Sequence, residues 1–412
     1  MSNHVMERES FASWFMRKLT LGMSWPEYAR SLVTPFNIVA ALILIIGLPV
    51  IATRFLYGLA SVTHASNDYP WGIILGWGLF GGVPLSATGF IMGTAFYIFG
   101  FRKYKPLLRL GLLTGFMGYF FAVVYLLVDL GRPWRIYYPM IIGFGTASVL
   151  FLVAWHVATY LTVQFLEFSE AILEWLKSRR LYRWATMITI AMTIAGIILS
   201  TLHQSALGAL FLLAPGKVHP LWYSSYIPHL FLSSAVYAAL VMVIAVSFLI
   251  ARYMPHVCDD NFLKNLDPLT IGLGKGAAIG MYVYFALKMV ALAHDDNWAL
   301  LNTTYGYWYL VEVIGFVIIP ALILTYGVKK ESPGIVRFGA FYSIAGVILN
   351  RINVSIIAFN WQLPDHIHHI VPPLTEVIMV LTIVTIHILV FRWIVRRMPV
   401  TYEHPEYKEF HH

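Results

Sequence analysis

The sequence predicts an all-α integral membrane protein with about ten spanning helices. Three observations lead there. Of 412 residues, 59% are hydrophobic and only 12% are charged, and mean hydropathy is +0.72, whereas a soluble domain carries roughly 25% charged residues. Apolar runs long enough for a ~30 Å hydrocarbon core recur along the whole chain. Lysine and arginine gather at alternate ends of those runs. The single cysteine, Cys258, excludes a disulfide framework, a cysteine zinc site and an iron–sulfur cluster held by this chain alone.

Residues 1–34 carry Glu7, Arg8, Arg17, Lys18, Glu27 and Arg30 with no long apolar run, so no cleavable signal peptide is expected. Phe11, Trp14, Phe15 and Leu19 would form one face of a short surface helix. The spans are expected at about 35–57, 71–98, 107–129, 139–164, 183–204, 229–251, 270–293, 308–328, 338–358 and 373–396. Each must be a helix, because a separate segment in lipid has to satisfy its own backbone amides. Pro70 starts the second span and Trp71 suits its interface. Gly76, Gly78, Gly81, Gly82, Gly89 and Gly93 stripe that span for close helix packing. Segment 204–228, apolar and ended by Pro215-Gly216, reads as a re-entrant or interfacial piece. Residues 397–412 form a tail, and no soluble domain is visible.

All but six of the 28 lysines and arginines fall at the N-terminus, the C-terminus and every second loop, from Arg8 through Arg102, Lys177, Lys264 and Lys330 to Lys408. The six others are Arg54, Arg132, Arg135, Lys217, Lys288 and Arg351. The positive-inside rule places the rich side, with both termini, in the cytoplasm. The net charge of +8 is thereby topological, and no nucleic-acid partner is implied.

Histidines and carboxylates cluster toward the poor face: His64, Asp68, Asp129, His203, His219, His229, His294, Asp295, Asp296, Glu312, Asp365, His366, His368, His369 and Glu376. Ionisable groups in membrane helices cost several kcal/mol unless they meet a partner, water or a bundle interior. Asp129-Leu-Gly-Arg-Pro-Trp-Arg135 closes the third span with a carboxylate and two arginines, Arg132 and Arg135, able to hold or release a proton. The same residues would also serve an ordinary helix end. His64 and Asn67 offer a titratable group and an amide to a carbonyl oxygen that becomes a hydroxyl. His203, in Ser200-Thr-Leu-His-Gln-Ser205, and Arg351, in Asn350-Arg-Ile-Asn-Val-Ser355, are candidate pocket residues. A buried arginine needs a partner, either Asp129 or a ligand oxygen; helix–helix hydrogen bonding is the competing role. Deeper, His156 and His387 lack the paired arrangement that haem demands, so no haem is expected. No row of carboxylates is seen crossing the interior, and a proton relay would run through His156, Thr159 and Thr193. No metal site is expected.

Asp129-Leu-Gly-Arg-Pro at a span end, Pro70-Trp-Gly before a glycine-striped helix, Thr34-Pro-Phe-Asn, Val83-Pro-Leu-Ser-Ala-Thr-Gly, Ser200-Thr-Leu-His-Gln-Ser-Ala-Leu-Gly-Ala-Leu and Pro215-Gly-Lys-Val-His-Pro-Leu-Trp-Tyr together resemble the NrfD/polysulfide-reductase membrane-subunit family. The resemblance covers about 34–396 and is to its ten-helix branch, which includes membrane subunits of hydrogenase-2, of the quinone reductase complex of sulfate reducers and of alternative complex III. It implies two four-helix bundles, about 71–204 and 229–358, flanked by helices 35–57 and 373–396 within one domain, 35–396. It also implies a cofactor-free subunit of a bacterial inner-membrane oxidoreductase, binding a quinone such as menaquinone near the periplasmic face. Electrons would come from a docked periplasmic iron–sulfur subunit. Further partners would be a multihaem cytochrome c and a molybdopterin-oxidoreductase-like protein, or a nickel–iron hydrogenase. His64 and Asp129 would be the principal quinone-site and proton-handling residues, with Asn67, Arg132, His203 and Arg351 in the same pocket. A secondary transporter would instead show broken helices and polar residues at matched depth in two halves. A purely structural anchor would leave Asp129, His64 and Arg351 unexplained.

Overall fold

The computed structural model describes residues 10–364, 366–368, 370–404 and 406–407. Glu7, Arg8, Asp365, His369 and Lys408, named above, lie outside the described residues. Among the described residues, ten helices are long and apolar enough to cross a membrane: Pro35–Tyr57, Ile73–Ile98, Arg102–Asp129, Val149–Trp175, Arg179–Leu212, Ile227–Tyr253, Asp260–His294, Thr304–Lys329, Pro333–Ile357 and Leu374–Arg397, here spans one to ten. Spans two to five pack on one another, as do spans six to nine, and span one lies against span ten. The two groups meet where spans six and nine cross the middle of span two.

Three spans depart clearly from the expected bounds: four, five, and seven, which starts at Asp260 rather than 270. Span four starts at Val149, where Ser148 caps the helix by accepting from the Phe151 amide (3.4 Å), and it runs to Trp175 rather than stopping at 164. Its last turns carry Glu167, Glu170 and Glu174, all buried. Charges that look like a loop in sequence belong to the helix because span five faces them with hydroxyls. Span five in turn continues unbroken to Leu212, so 204–228 is not a separate re-entrant helix. It is the end of span five followed by a turn-rich connection.

Span two is the least regular. An α-helical turn gives way to π-helical Gly76–Gly81, then α-helical Gly82–Leu85, a break at Ser86–Ala87, Thr88–Gly93 and π-helical Thr94–Ile98. Spans eight and nine contain π-helical Val311–Ile318 and Asn353–Ile357. Such wide turns concentrate at functional positions.

The first and last described segments both pack on the basic face. The short helix Phe11–Leu19 sets Phe15 edge-on to Trp175 (5.9 Å), and Lys18 donates to the Trp175 carbonyl. Arg397 donates to the Leu19 carbonyl (2.6 Å) and the Tyr28 hydroxyl (2.7 Å). The tail then crosses the ends of spans three, four and seven: Arg109 donates to Pro399 O (3.0 Å), Thr401 to Val257 O (2.5 Å), and the His404 amide to Glu174 (2.7 Å).

Candidate functional site

At the face opposite the basic one, the 58–72 connection, the end of span nine and the start of span ten enclose a cavity of about 260 Å³, part of it open to solvent. His64, Tyr69, Trp71, Gly72, Ile356 and Glu376 are among its walls. Glu376 is 3% exposed and lies in the first turn of span ten, yet its carboxylate serves another helix, accepting from the Ile74 amide (3.1 Å) at the start of span two. An anion there answers unpaired amides and the positive end of the helix. A Cβ at 72 would run into the Glu376 carboxylate, so a larger residue there would have to displace that side chain.

Asp129, half-buried at the end of span three, feels two neighbours electrostatically, Glu376 and Arg54. It takes no hydrogen bond from any described residue. Arg54, buried in span one, donates to the carbonyls of Val128 and Leu130 on either side of Asp129. These are end-of-helix carbonyls, where a cation is favoured. Glu376 thus ties His64 and Asp129 into one locality, with Arg54 as the cation. Sequence reading named Arg54 only as an exception to the charge rule, and Glu376 only as one of the poor-face acids.

The other predicted pocket residues lie elsewhere. Arg132 and Asn67 are exposed and neither lines the cavity. Arg351 does not pair with Asp129. It is fully buried in the second bundle, donating to Asn350 Oδ1 (2.7 Å) and Ser234 Oγ (2.6 Å), with its guanidinium 3.7 Å from the Phe231 ring centroid. Beside it Glu312 accepts from Lys288 (2.9 Å), Asn350 (2.7 Å), Asn353 (2.6 Å) and Trp222 (2.7 Å). That network engages Arg351 and Lys288 inside the second bundle, with Arg351 Nε left without a partner among the described residues. Outside the spans, His219 stacks on Tyr305 (centroids 4.6 Å) and accepts from the Leu221 amide; burial pushes its imidazole down to about 4.

His203 belongs to a second feature, a polar line through the first bundle. At the basic face Arg109 pairs with Glu174 (2.6 Å). One turn further in, Thr189 donates to Glu170, and next Thr193 donates to Glu167 (3.0 Å). Then Gln164 donates to the Tyr160 hydroxyl (3.0 Å), Tyr160 packs on Tyr119 (centroids 4.6 Å), and Tyr119 Oη lies 3.1 Å from Gln204 and 3.5 Å from His203 Nδ1. From Glu174 to Tyr160 the line climbs about 21 Å at 1.5 Å per residue. Buried atoms along it, Gln164 Oε1, Gln204 Oε1, His203 Nε2 and His156 Nδ1, have no protein partner. Buried polar atoms of this kind are normally satisfied by water. So a row of three carboxylates enters the interior from the basic face and stops at Glu167, without crossing it. Of the predicted relay, Thr193 and His156 lie on the line, whereas Thr159 bonds back to Trp155 O (2.8 Å) in its own helix. Trp71, a wall of the outer cavity, packs with Phe80 and Phe211 at centroid separations of 5.3–5.5 Å. His387, by contrast, lies flat on Phe121 (4.3 Å), outside both features.

The family model described as "Polysulphide reductase, NrfD" matches residues 61–360. A protein of Nitratidesulfovibrio vulgaris is 44% identical over 93% of this chain and 98% of its own length. An Escherichia coli protein, named a Ni/Fe-hydrogenase 2 b-type cytochrome subunit, is 26% identical over 87% of this chain and 90% of its own. The "Menaquinone reductase, integral membrane subunit" of Nitratidesulfovibrio vulgaris is 25% identical over 65% of this chain and 68% of its own.

Proposed function

The chain belongs to the polysulphide reductase, NrfD family, and on that premise we propose that it is the quinone-binding membrane subunit of a multisubunit respiratory oxidoreductase. In this reading the basic face is cytoplasmic, which the charge distribution supports, and the outer cavity faces the periplasm. The carrying observation is that His64 and Glu376 share one small cavity while Asp129 stands in the field of Glu376 and Arg54. Menaquinone is the substrate, and a docked periplasmic iron–sulfur subunit supplies electrons one at a time. The chain contributes position and protons, and redox chemistry belongs to the quinone and the partner's clusters. His64 hydrogen-bonds one quinone oxygen, Asp129 and Glu376 deliver protons, and Arg54 sets the charge on Asp129.

The acidic line of the first bundle supplies those protons from the cytoplasmic side, with water bridging the unpartnered atoms between Glu167 and His203. Protons drawn from one face and electrons from the other make turnover electrogenic.

Asp129→Asn in the assembled complex is the test: quinone turnover disappears while the subunits still co-purify, and unchanged turnover would remove Asp129 from the reaction. A second reading has its own support. The match to the hydrogenase subunit spans 87% of the chain against 65% for the menaquinone reductase subunit, at nearly equal identity. Co-purifying subunits separate the two: a nickel–iron pair marks a hydrogenase, and a multihaem cytochrome with a molybdopterin-type protein marks the quinone reductase.

A further inference from the structure

A second cavity, larger than the one that His64 lines, lies deeper among the described residues. Between the two bundles, spans one, two, three, six, nine and ten enclose an apolar space of about 1870 Å³, counting the part open to its surroundings. On span two its wall runs from Trp77 to Ser86, on span three from Tyr125 down to Thr114, and on span ten from Val384 to Arg392. The span-three wall alone is about 16 Å long at 1.5 Å per residue.

Two facts select an occupant. First, the upper end lies one helical turn below the outer site. Tyr125 is four residues before Asp129 on span three, and its hydroxyl donates to the carbonyl of Val380, four residues after Glu376 on span ten (3.4 Å). Likewise Ile73 lines the outer cavity and Trp77 the large one. Second, the lower mouth is bounded by side chains exposed at lipid depth, among them Phe36, Leu249, Tyr253 and Ile388. The wall in between is bared by Gly78, Gly81 and Gly82 on the π-helical and following turns of span two. A long, flexible, apolar ligand with a polar ring at its upper end matches this shape.

We propose that this chamber holds the isoprenoid tail of the quinone whose ring is bound at the His64–Asp129–Glu376 site. The inference rests on that site reading and adds where the rest of the substrate lies. The tail runs down between the bundles and leaves into the leaflet on the basic side, and Trp77 and Tyr125 mark the step between ring and tail. A lipid-soluble ligand gains little by leaving the bilayer for an equally apolar wall, so the chamber's contribution is to fix the ring's approach and orientation.

The experiment uses the assembled complex in nanodiscs and a menaquinone analogue bearing a photoreactive diazirine midway along its tail. On irradiation, mapped adducts are expected on spans two, three and ten between Leu85 and Thr114 on one side and Val384 and Ile388 on the other. Excess natural menaquinone should reduce them at least tenfold, and so should Gly82→Leu, which fills the wall where a Cβ meets only ordinary contacts. Adducts confined to lipid-facing residues such as Ile45 or Ile198 would overturn the proposal. So would a diazirine phospholipid that labels the chamber and is not displaced by menaquinone. Chamber labelling that persists while Asp129→Asn leaves turnover unchanged would keep the tail inference and discard the ring site, so the two fail separately.

Discussion

Replacing Glu167 by glutamine preserves the shape of the buried acidic line and removes its capacity to pass a proton. Glutamine still accepts from Thr193, now 3.0 Å away, so the helix pair should stay packed. The size of the effect follows from where charges start and end. Electrons enter at the outer cavity, and protons climb from Glu174 past Glu170 and Glu167, so two charges cross per quinone reduced. Each elementary charge moved against 100 mV costs about 2.3 kcal/mol. Two therefore shift the equilibrium by about 4.6 kcal/mol, roughly a thousandfold. The assay is the complex in sealed proteoliposomes, with a potential-sensitive dye and quinone turnover read together. The wild type should build a potential and turn over faster when an ionophore collapses it. Glu167→Gln should lose both potential and turnover by about 10²- to 10⁴-fold, the range for removing a positioned proton donor. A variant that still generates the full potential, or a wild type that generates none, refutes the line as the proton route.

Other expectations concern stability. Glu312→Gln leaves Lys288 and Arg351 as buried cations without a counter-charge, and should cost about 3–5 kcal/mol. The double variant Glu312→Leu with Lys288→Met should be milder than Glu312→Leu alone, a coupling that thermal unfolding in detergent would expose. Because the folded protein holds the His219 imidazole at about 4, against about 6.5 unfolded, both states are neutral above pH 6.5. Below it the unfolded chain takes up the proton first, so stability falls from pH 6.5 toward 4. His219→Gln should flatten that decline in a pH series of unfolding temperatures.

The helix count and the lopsided polarity were legible because each rests on a one-dimensional signal, hydropathy or charge alternation. Asp129 and His64 stood out for the same reason, as polar residues at the edges of apolar runs. Glu167, Glu170 and Glu174 did not, because acids closing an apolar run look like the beginning of a loop. Their spacing of three and four residues, which puts them on one helix face, was the available signal, and Thr189 and Thr193 on the next span its counterpart. The assignment of Arg351 to the outer pocket failed because partner choice is a three-dimensional fact. Glu312 lies 39 positions earlier in the chain and Ser234 still earlier, and only the fold brings them together. Arg54 was overlooked for the converse reason, its partners being backbone carbonyls with no sequence signature.

The strap of residues 399–404 over the basic face gives the first bundle an order of completion. Those residues leave the ribosome after all ten helices have been made, so the Glu174 carboxylate gains the His404 amide, and Arg109 the Pro399 carbonyl, only once the rest is in the bilayer. The inlet is therefore sealed by a segment made after every span, and a copy cut before it would present an unfinished doorway at the basic face.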